Sequence, residues 1–486
     1  MTPSAKKERP KPFLIAHFCK GCGRCIDSCN KHCITPGDEI DPLTGLIPVH
    51  LDLDQCNGCG LCISACPEPY GLRPLPDGVS PAEDFELEDP EKLFGFKHST
   101  APKPVLIPDQ TVALPKVEPL MIKGTYASAV GALLAGCRHF FGYPITPSTE
   151  GAELMAKLLP KLDGVFIQAV SEVATVNMMY GAGGAGMRAM TFTSSPGFSL
   201  MLEGISYMIG SEVPGVFVNI MRGGPGLGNI APEQADVKLA CRGLGHGNTQ
   251  ALVFAPSTPQ EMLELTMLAF ELSFKYRNPV VILGDGYLGQ MTGKVQLPEA
   301  MIQPGIPAWA VYGDAMHRGN LINSIYLGEA DLEAHNEMLN EKYALMTREE
   351  QRADLFHTDD AEVLIVATNT PARMAKGAVE HLRGAGVKAG LFRPISVWPF
   401  PIEALRKPLR TTKRIVVVEA SAGQLEDELR LALSKAGIRD YPEIENVRRM
   451  GGFLPQMDEI IDKVLGGESP TVDRPRSTVI RPEVAS

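Results

Sequence analysis

Cys19-Lys-Gly-Cys22-Gly-Arg-Cys25-Ile-Asp-Ser-Cys29 and, after a gap, Cys56-Asn-Gly-Cys59-Gly-Leu-Cys62-Ile-Ser-Ala-Cys66-Pro67 set the terms for the rest of the chain. Each run spaces its cysteines x2, x2 and x3, the pattern of a module that holds two iron–sulfur clusters. Three thiolates on one tight loop hold three corners of a cubane, and the fourth cysteine of the run stands too far along to close the same cube. The fourth therefore ligates the other cluster. This assigns Cys19, Cys22, Cys25 and Cys66 to one [4Fe–4S] cluster and Cys56, Cys59, Cys62 and Cys29 to the second. Gly21, Gly23, Gly58 and Gly60 keep side chains off the cubes and leave backbone N–H groups free to point at sulfur. Zinc is the competing reading, but a tetrahedral zinc takes four sulfurs, and two three-plus-one runs fit it poorly. Asn30 rather than proline follows Cys29, and Cys33 lies close behind. The spacing favours Cys29 as the ligand and makes Cys33 a small buried apolar residue.

Outward from these runs, Glu39 to Asp54 is expected to form a returning hairpin with turns at Pro42 and Gly45, closing a compact α+β module over residues 1–70. All of the eleven cysteines except Cys137 and Cys241 precede Pro67. That clustering reads as ligation rather than disulfide bonding and implies a reducing cytoplasm, with an anaerobe as the expected source of such oxygen-sensitive clusters. A formal charge of −11 on 486 residues argues against nucleic-acid binding. The only apolar run near the N-terminus, Phe13 to Ala16, is too short for a signal-peptide core, and nothing elsewhere approaches a membrane span.

Residues 71–119 are rich in proline and charge, without sustained periodicity, and are expected to form an extended linker. From residue 120 the pattern changes. Apolar runs at Arg138–Tyr143, Arg188–Ser194, Val216–Met221, Ala251–Ala255 and Pro279–Leu283 alternate with helical stretches at Ala127–Gly136, Glu172–Tyr180, Phe198–Ser211, Glu233–Cys241 and Pro259–Tyr276. Short buried strands separated by helices indicate an α/β domain, 120–295, with a parallel sheet covered on both faces. Residues 296–358 are less periodic and read as a connecting arm. A second, smaller α/β unit occupies 359–468, with strands at Val363–Ala367, Lys388–Phe392 and Arg414–Glu419, and a tail follows at 469–486.

Ligands of parallel sheets sit at the carboxyl ends of strands, so the loops just after the strands come first. Gly181-Ala-Gly-Gly-Ala-Gly186 matches the dinucleotide fingerprint in letters, but it follows a helix and enters a strand, the reverse of the required order. Gly284-Asp285-Gly286 is read as a turn, because the asparagine pair that would complete a magnesium-diphosphate motif is missing. Arg222-Gly-Gly-Pro-Gly-Leu-Gly228 directly follows a strand and offers an arginine and backbone N–H groups, a combination suited to an anion, although spacing alone fits a purely structural loop as well. Tyr143-Pro-Ile-Thr-Pro-Ser-Thr149 also follows a strand; Ser148 or Thr149 is placed to cap the next helix. Glu172, after Ser171, opens another, where a first-turn carboxylate is favoured by the helix dipole.

Taken together, Tyr143–Thr149, Ser171-Glu172-Val-Ala, Thr191–Leu200 (Thr-Phe-Thr-Ser-Ser-Pro-Gly-Phe-Ser-Leu) and Val218–Gly228 resemble the α subunit of 2-oxoacid:ferredoxin oxidoreductases of the 3-methyl-2-oxobutanoate and 2-oxoglutarate types. The likeness runs from about Lys123 to Gly467 and includes Arg393-Pro-Ile-Ser-Val-Trp-Pro399 and Val418-Glu-Ala-Ser-Ala-Gly-Gln424 in a unit similar to the transketolase C-terminal domain. The resemblance implies a pyrimidine-binding domain for thiamine diphosphate, in which Glu172 hydrogen-bonds the aminopyrimidine ring and Tyr143, Pro144 and Ile145 line the cofactor. It also implies that Thr146 and Arg222 contact the substrate carboxylate, that coenzyme A takes the acyl group, and that electrons leave through the iron–sulfur clusters to ferredoxin.

Two departures accompany the resemblance. Relatives of this type carry the two-cluster module as a separate δ subunit, whereas here it precedes the α-like part on one chain. The magnesium-diphosphate half is missing, so a β subunit carrying Mg and a further cluster is expected, with a γ subunit beside it. Two other readings stay open: an NAD-linked version of the same complex, and an electron-transfer or assembly subunit whose thiamine-like domain does no chemistry. The side chain of the oxoacid is not encoded in these motifs.

Overall fold

The computed structural model describes residues 9–41, 44–68, 71–75, 104–317 and 319–466. The chain divides into two compact units, Met1–Pro102 with Ile325–Ala334, and Lys103–Ser324 with His335–Ser486. The turn expected at Pro42, the central part of the linker and the tail from 469 onward lie outside the described residues.

In the smaller unit two short helices, Arg24–Asp27 and Leu61–Ala65, each follow a cysteine pair and begin after a left-handed glycine, Gly23 at φ 75° and Gly60 at φ 77°. Any side chain is strained in that conformation, which explains the repeated Cys-Gly step. The chain does return as a hairpin, but its first strand precedes the expected start at Glu39: Ile34–Pro36 pairs antiparallel with Val49–Leu51, and Pro12–Leu14 pairs with Leu72–Pro74. Ile34, Val49, Leu72, Cys25 and Cys62 form the small core.

The larger unit is built on a seven-stranded sheet. Its order is Ser396–Trp398, Leu252–Phe254, Pro279–Asp285, Gly215–Met221, Ala189–Thr193, His139–Gly142 and Val165–Gln168. All neighbours are parallel except the first pair. Every residue of Gly215–Met221 and Pro279–Asp285 is buried, as a sheet covered on both faces requires. Helices Gly124–Leu134, Glu172–Gly184, Ser195–Gly210 and Pro259–Tyr276 provide the cover. The helix Pro259–Tyr276 agrees with its expected bounds because Thr258 caps it, accepting the Glu261 N–H at 3.1 Å, and a proline opens it.

A five-stranded sheet follows in the order Ala353–Phe356, Ala389–Pro394, Val363–Val366, Arg414–Glu419 and Ile444–Arg448. Alternate residues face two separate clusters: Val363, Ile365, Val416 and Val418 one way, Leu364, Val366, Ile415 and Val417 the other. The Ser396–Trp398 segment leaves this domain to extend the larger sheet, so the two α/β layers are stitched together.

Several expectations need correction. The arm at 296–358 contains a 21-residue helix, Glu329–Glu349, which buries only Leu339, Tyr343 and Met346 and so shows little apolar periodicity. The glycine run Gly181–Gly186 does not lie beyond a helix end: the Glu172 helix continues to Gly184, and only Gly186 has a positive φ. Ser148 occupies the N-cap position but its hydroxyl donates back to Ile145 O at 2.8 Å and caps nothing. The turn expected at Gly284-Asp285-Gly286 is a strand end running straight into a helix: Asp285 closes Pro279–Asp285, is fully buried, caps Gly286–Gln290 and accepts from the Thr370 N–H at 2.8 Å.

Candidate functional site

Thr146, Glu172, Ser195 and Arg222 each follow the carboxyl end of a parallel strand, and these strands are consecutive neighbours in the sheet. Residues scattered over the sequence are thereby gathered along one rim. Arg222 donates through Nη1 to the Thr146 carbonyl at 2.8 Å and through Nη2 to Leu227 O at 3.2 Å. Its Nε is buried without a partner. Thr146 and Arg222, each expected to meet the substrate carboxylate, are in direct contact with one another through the threonine's backbone.

Glu172 starts the helix Glu172–Gly184 behind Ser171, whose hydroxyl accepts the Ala174 N–H at 3.2 Å. The carboxylate sits at the positive end of that helix and is 5% exposed. Among the described residues it has no hydrogen-bond donor, and it bonds to neither Thr146 nor Arg222. A carboxylate without a donor on a residue only 5% exposed, beside a rim that carries an unpartnered guanidinium N–H, fits the aminopyrimidine and substrate-carboxylate chemistry expected of thiamine diphosphate. Tyr143 and Pro144 are exposed and Ile145 half-buried, on the same rim.

Three residues that motif reading passed over hold the arginine loop. The Arg222 N–H donates to Ser195 Oγ at 3.1 Å, Ser195 Oγ donates to Asp236 Oδ2 at 2.5 Å, and Asn219 Nδ2 donates to the same oxygen at 2.8 Å. Burial pushes the Asp236 carboxyl above the usual range, against the pull of those two donors. Ser195 and Asn219 lie inside the runs Thr191–Leu200 and Val218–Gly228, but Asp236 comes from the far end of the loop and carries no local signal. The smaller α/β domain braces the loop further. Glu233 Oε2 accepts the N–H of Gly224 at 3.3 Å and of Gly451 at 3.0 Å, and Arg242 grips Glu428 by two bonds of 3.0 and 2.6 Å. A cleft of about 590 Å³ opens beside this brace, between Ser195, Glu233, Lys238 and Gln424.

In the smaller unit the eight candidate cysteine ligands fall into two groups of four. Cys19, Cys22, Cys25 and Cys66 line one small cavity, and Cys29, Cys56, Cys59 and Cys62 line another. Cys33 also borders the second. Among the described residues no three Cys, His, Asp or Glu side chains converge as ligands of a single metal ion. Two four-sulfur cages around open space suit cubanes better than zinc. The Cys33 N–H donates to Cys29 Sγ at 3.3 Å, while Cys33 Sγ donates to Lys31 O at 3.6 Å. Burial raises the Cys29 thiol, but N–H groups from Cys33, Lys31 and His32 outweigh it and hold the thiol below its ordinary value. Burial, with the Cys29 sulfur nearby, pushes Cys33 up to about 11.

Comparison with known proteins agrees with this geometry. The chain is 45% identical over 346 residues to the ketoisovalerate oxidoreductase subunit VorB of Methanothermobacter thermautotrophicus, covering 71% of this chain and 96% of that one. It belongs to the 2-oxoacid:ferredoxin oxidoreductases. Residues 130–353 match the thiamine diphosphate-binding domain of pyruvate flavodoxin/ferredoxin oxidoreductases, 361–460 match core domain II of pyruvate:ferredoxin oxidoreductase, and 18–69 match a 4Fe-4S dicluster domain. Within this oxidoreductase family the chain is also similar to the 2-oxoglutarate synthase subunit KorA of Methanocaldococcus jannaschii, 36% identical over 375 residues and covering 72% of this chain and all of that one. The solved 2-oxoglutarate:ferredoxin oxidoreductase of Magnetococcus marinus, with 2-oxoglutarate, coenzyme A and succinyl-CoA bound, superposes with a TM-score of 0.65 at 25% identity. That match covers 72% of this chain and 65% of the solved one. No helix among the described residues is long and apolar enough to cross a membrane.

Proposed function

We propose that this chain is the fused δ–α subunit of a hetero-oligomeric 2-oxoacid:ferredoxin oxidoreductase. It supplies the pyrimidine half of a thiamine diphosphate site and, on the same polypeptide, two [4Fe–4S] clusters. The observation that carries the reading is the placement of buried, donor-free Glu172 on the same strand-end rim as the Arg222–Thr146 pair.

When bound, thiamine diphosphate supplies the carbon nucleophile and electron sink on which a 2-oxoacid loses carbon dioxide. Glu172 accepts a hydrogen bond from the aminopyrimidine ring and holds the proton that the ring relays, an effect worth about 10²–10⁴-fold. Arg222, locked by Thr146 and Leu227, has N–H groups left for the substrate carboxylate, each charge-assisted bond being worth about 1.5–3 kcal/mol. The eight cysteines Cys19, Cys22, Cys25, Cys29, Cys56, Cys59, Cys62 and Cys66 hold the clusters that carry electrons away singly. Tyr143, Pro144 and Ile145 form the cofactor wall. Coenzyme A accepts the acyl group.

A β subunit contributes the diphosphate and magnesium half with a further cluster, and a γ subunit completes a cytoplasmic assembly whose acceptor is ferredoxin. The domains run as 1–70 for the clusters, 120–295 for thiamine and 359–468 for the C-terminal unit. The 45% likeness to a ketoisovalerate subunit, against 36% to a 2-oxoglutarate one, makes a branched aliphatic 2-oxoacid the first substrate to test. The experiment is reconstitution with the partner subunits and a panel of 2-oxoacids, following coenzyme A-dependent viologen reduction. Turnover that survives intact in Glu172→Gln would instead favour the non-catalytic assembly reading.

A further inference from the structure

The helix Ser195–Gly210 begins at the carboxyl end of Ala189–Thr193, and its third residue, Gly197, is buried. Gly197 is absent from the positive-φ glycines, so its backbone does not require a glycine. In a helical conformation alanine is the better former, and glycine at this position weakens the helix. The reason lies in the neighbouring atoms. A methyl group on Gly197 would stand 2.5 Å from Glu172 Oε1, 2.8 Å from Glu172 Cγ and 2.4 Å from Thr193 Oγ1. Contacts this short cannot persist, so something must yield. Thr193 is β-branched and lies in a wholly buried strand. The Glu172 carboxylate, at the end of a longer side chain and without a hydrogen-bond donor among the described residues, is the freer of the two.

We propose that Gly197 is a positioning residue whose missing side chain is the seat of the Glu172 carboxylate. The empty volume at Gly197 admits the carboxylate against the first turn of the Ser195 helix and fixes where its oxygens face the aminopyrimidine ring. This rests on the reading of Glu172 as the proton-holding carboxylate. Proton transfer depends on placement within a fraction of an ångström, and a displacement of about 1 Å costs on the order of 10²-fold in rate. Gly197→Ala should therefore leave the fold in place and lose function.

The test uses the reconstituted complex carrying Gly197→Ala, Glu172→Gln, Glu172→Ala, the double variant Gly197→Ala/Glu172→Ala, and Gly181→Ala. Gly181 lies on the same helix as Glu172 and an added methyl there meets nothing within 4 Å. Gly197→Ala is expected to lower kcat by about 10²-fold and to weaken thiamine diphosphate binding, measured by equilibrium dialysis with magnesium, while KM for the 2-oxoacid stays within about twofold. Gly181→Ala should match wild type in all three. Wild-type kcat and thiamine affinity in Gly197→Ala, with Glu172→Gln impaired, overturn the seat and spare the reading of Glu172; wild-type behaviour of Glu172→Gln overturns the reading beneath it. A thermal cycle covers the case in which Gly197→Ala folds poorly. The methyl should cost more stability beside Glu172 than in the Glu172→Ala background, where only the Thr193 contact remains; an equal loss in both places the clash on Thr193 alone and overturns the proposal.

Discussion

Arg222 Nη1 donates to the carbonyl oxygen of Thr146 at 2.8 Å, a bond between residues 76 positions apart in the sequence. It joins the loops after two strands separated in the sheet by Ala189–Thr193, and it fixes the plane of the guanidinium rather than only its charge. With Nη2 held by Leu227 and Nε free, the side chain is oriented before any substrate arrives.

Substitution of Arg222 by lysine keeps the charge and loses the fork. KM for the 2-oxoacid should rise by at least about tenfold, the equivalent of one charge-assisted bond, with a smaller change in kcat. Steady-state kinetics on the assembled complex decide this, and an unchanged KM removes Arg222 from the substrate site.

Asp236 titrates against the fold. Burial raises its pKa in the native state, so its contribution to stability is complete below the ordinary carboxylate range and is lost as pH rises through the raised native value. Asp236→Asn can keep an oxygen for Ser195 and Asn219 and has no proton to lose. Its thermal midpoint should lack that part of the decline above the ordinary carboxylate range. Asp236→Ala strands both donors and should cost about 1–3 kcal/mol at every pH. Parallel pH profiles for wild type and Asp236→Asn would contradict the assignment.

Iron analysis separates cubanes from zinc. Two [4Fe–4S] clusters give about eight irons per chain and negligible zinc. Cys29→Ala should lower the count to about four, and Cys33→Ala should leave it near eight, since the backbone N–H donors converge on Cys29. The opposite pattern would exchange the two residues.

The parts that were legible in the sequence are those whose cause is local. The cysteine spacing foretold the division into two cages, and Thr258-Pro259 fixed a helix start. Arg222 stood out because it follows a strand within a recognisable run, and Glu172 because it opens a helix behind Ser171. Val165–Gln168, an edge strand with mostly exposed residues, gave no buried stretch to notice, and Ile444–Arg448 was too short and polar. The Glu329–Glu349 helix is exposed on most sides and left no apolar stripe. The Asn219–Asp236–Ser195 brace and the packing of Gly197 against Glu172 arise from chain crossings, which no local pattern records.

The central claim is that one polypeptide joins a thiamine-site carboxylate to a pair of cubanes that take its electrons. The most direct test is freeze-quench EPR of the anaerobic complex after addition of a 2-oxoacid and coenzyme A, with Cys19→Ser and Cys56→Ser variants to assign the N-terminal signals. Reduced N-terminal clusters should appear within turnover in wild type and at least about 10²-fold more slowly in Glu172→Gln, although dithionite reduces both proteins equally. N-terminal clusters that stay oxidised while acyl-CoA forms, or that reduce at the same rate without Glu172, would contradict the account.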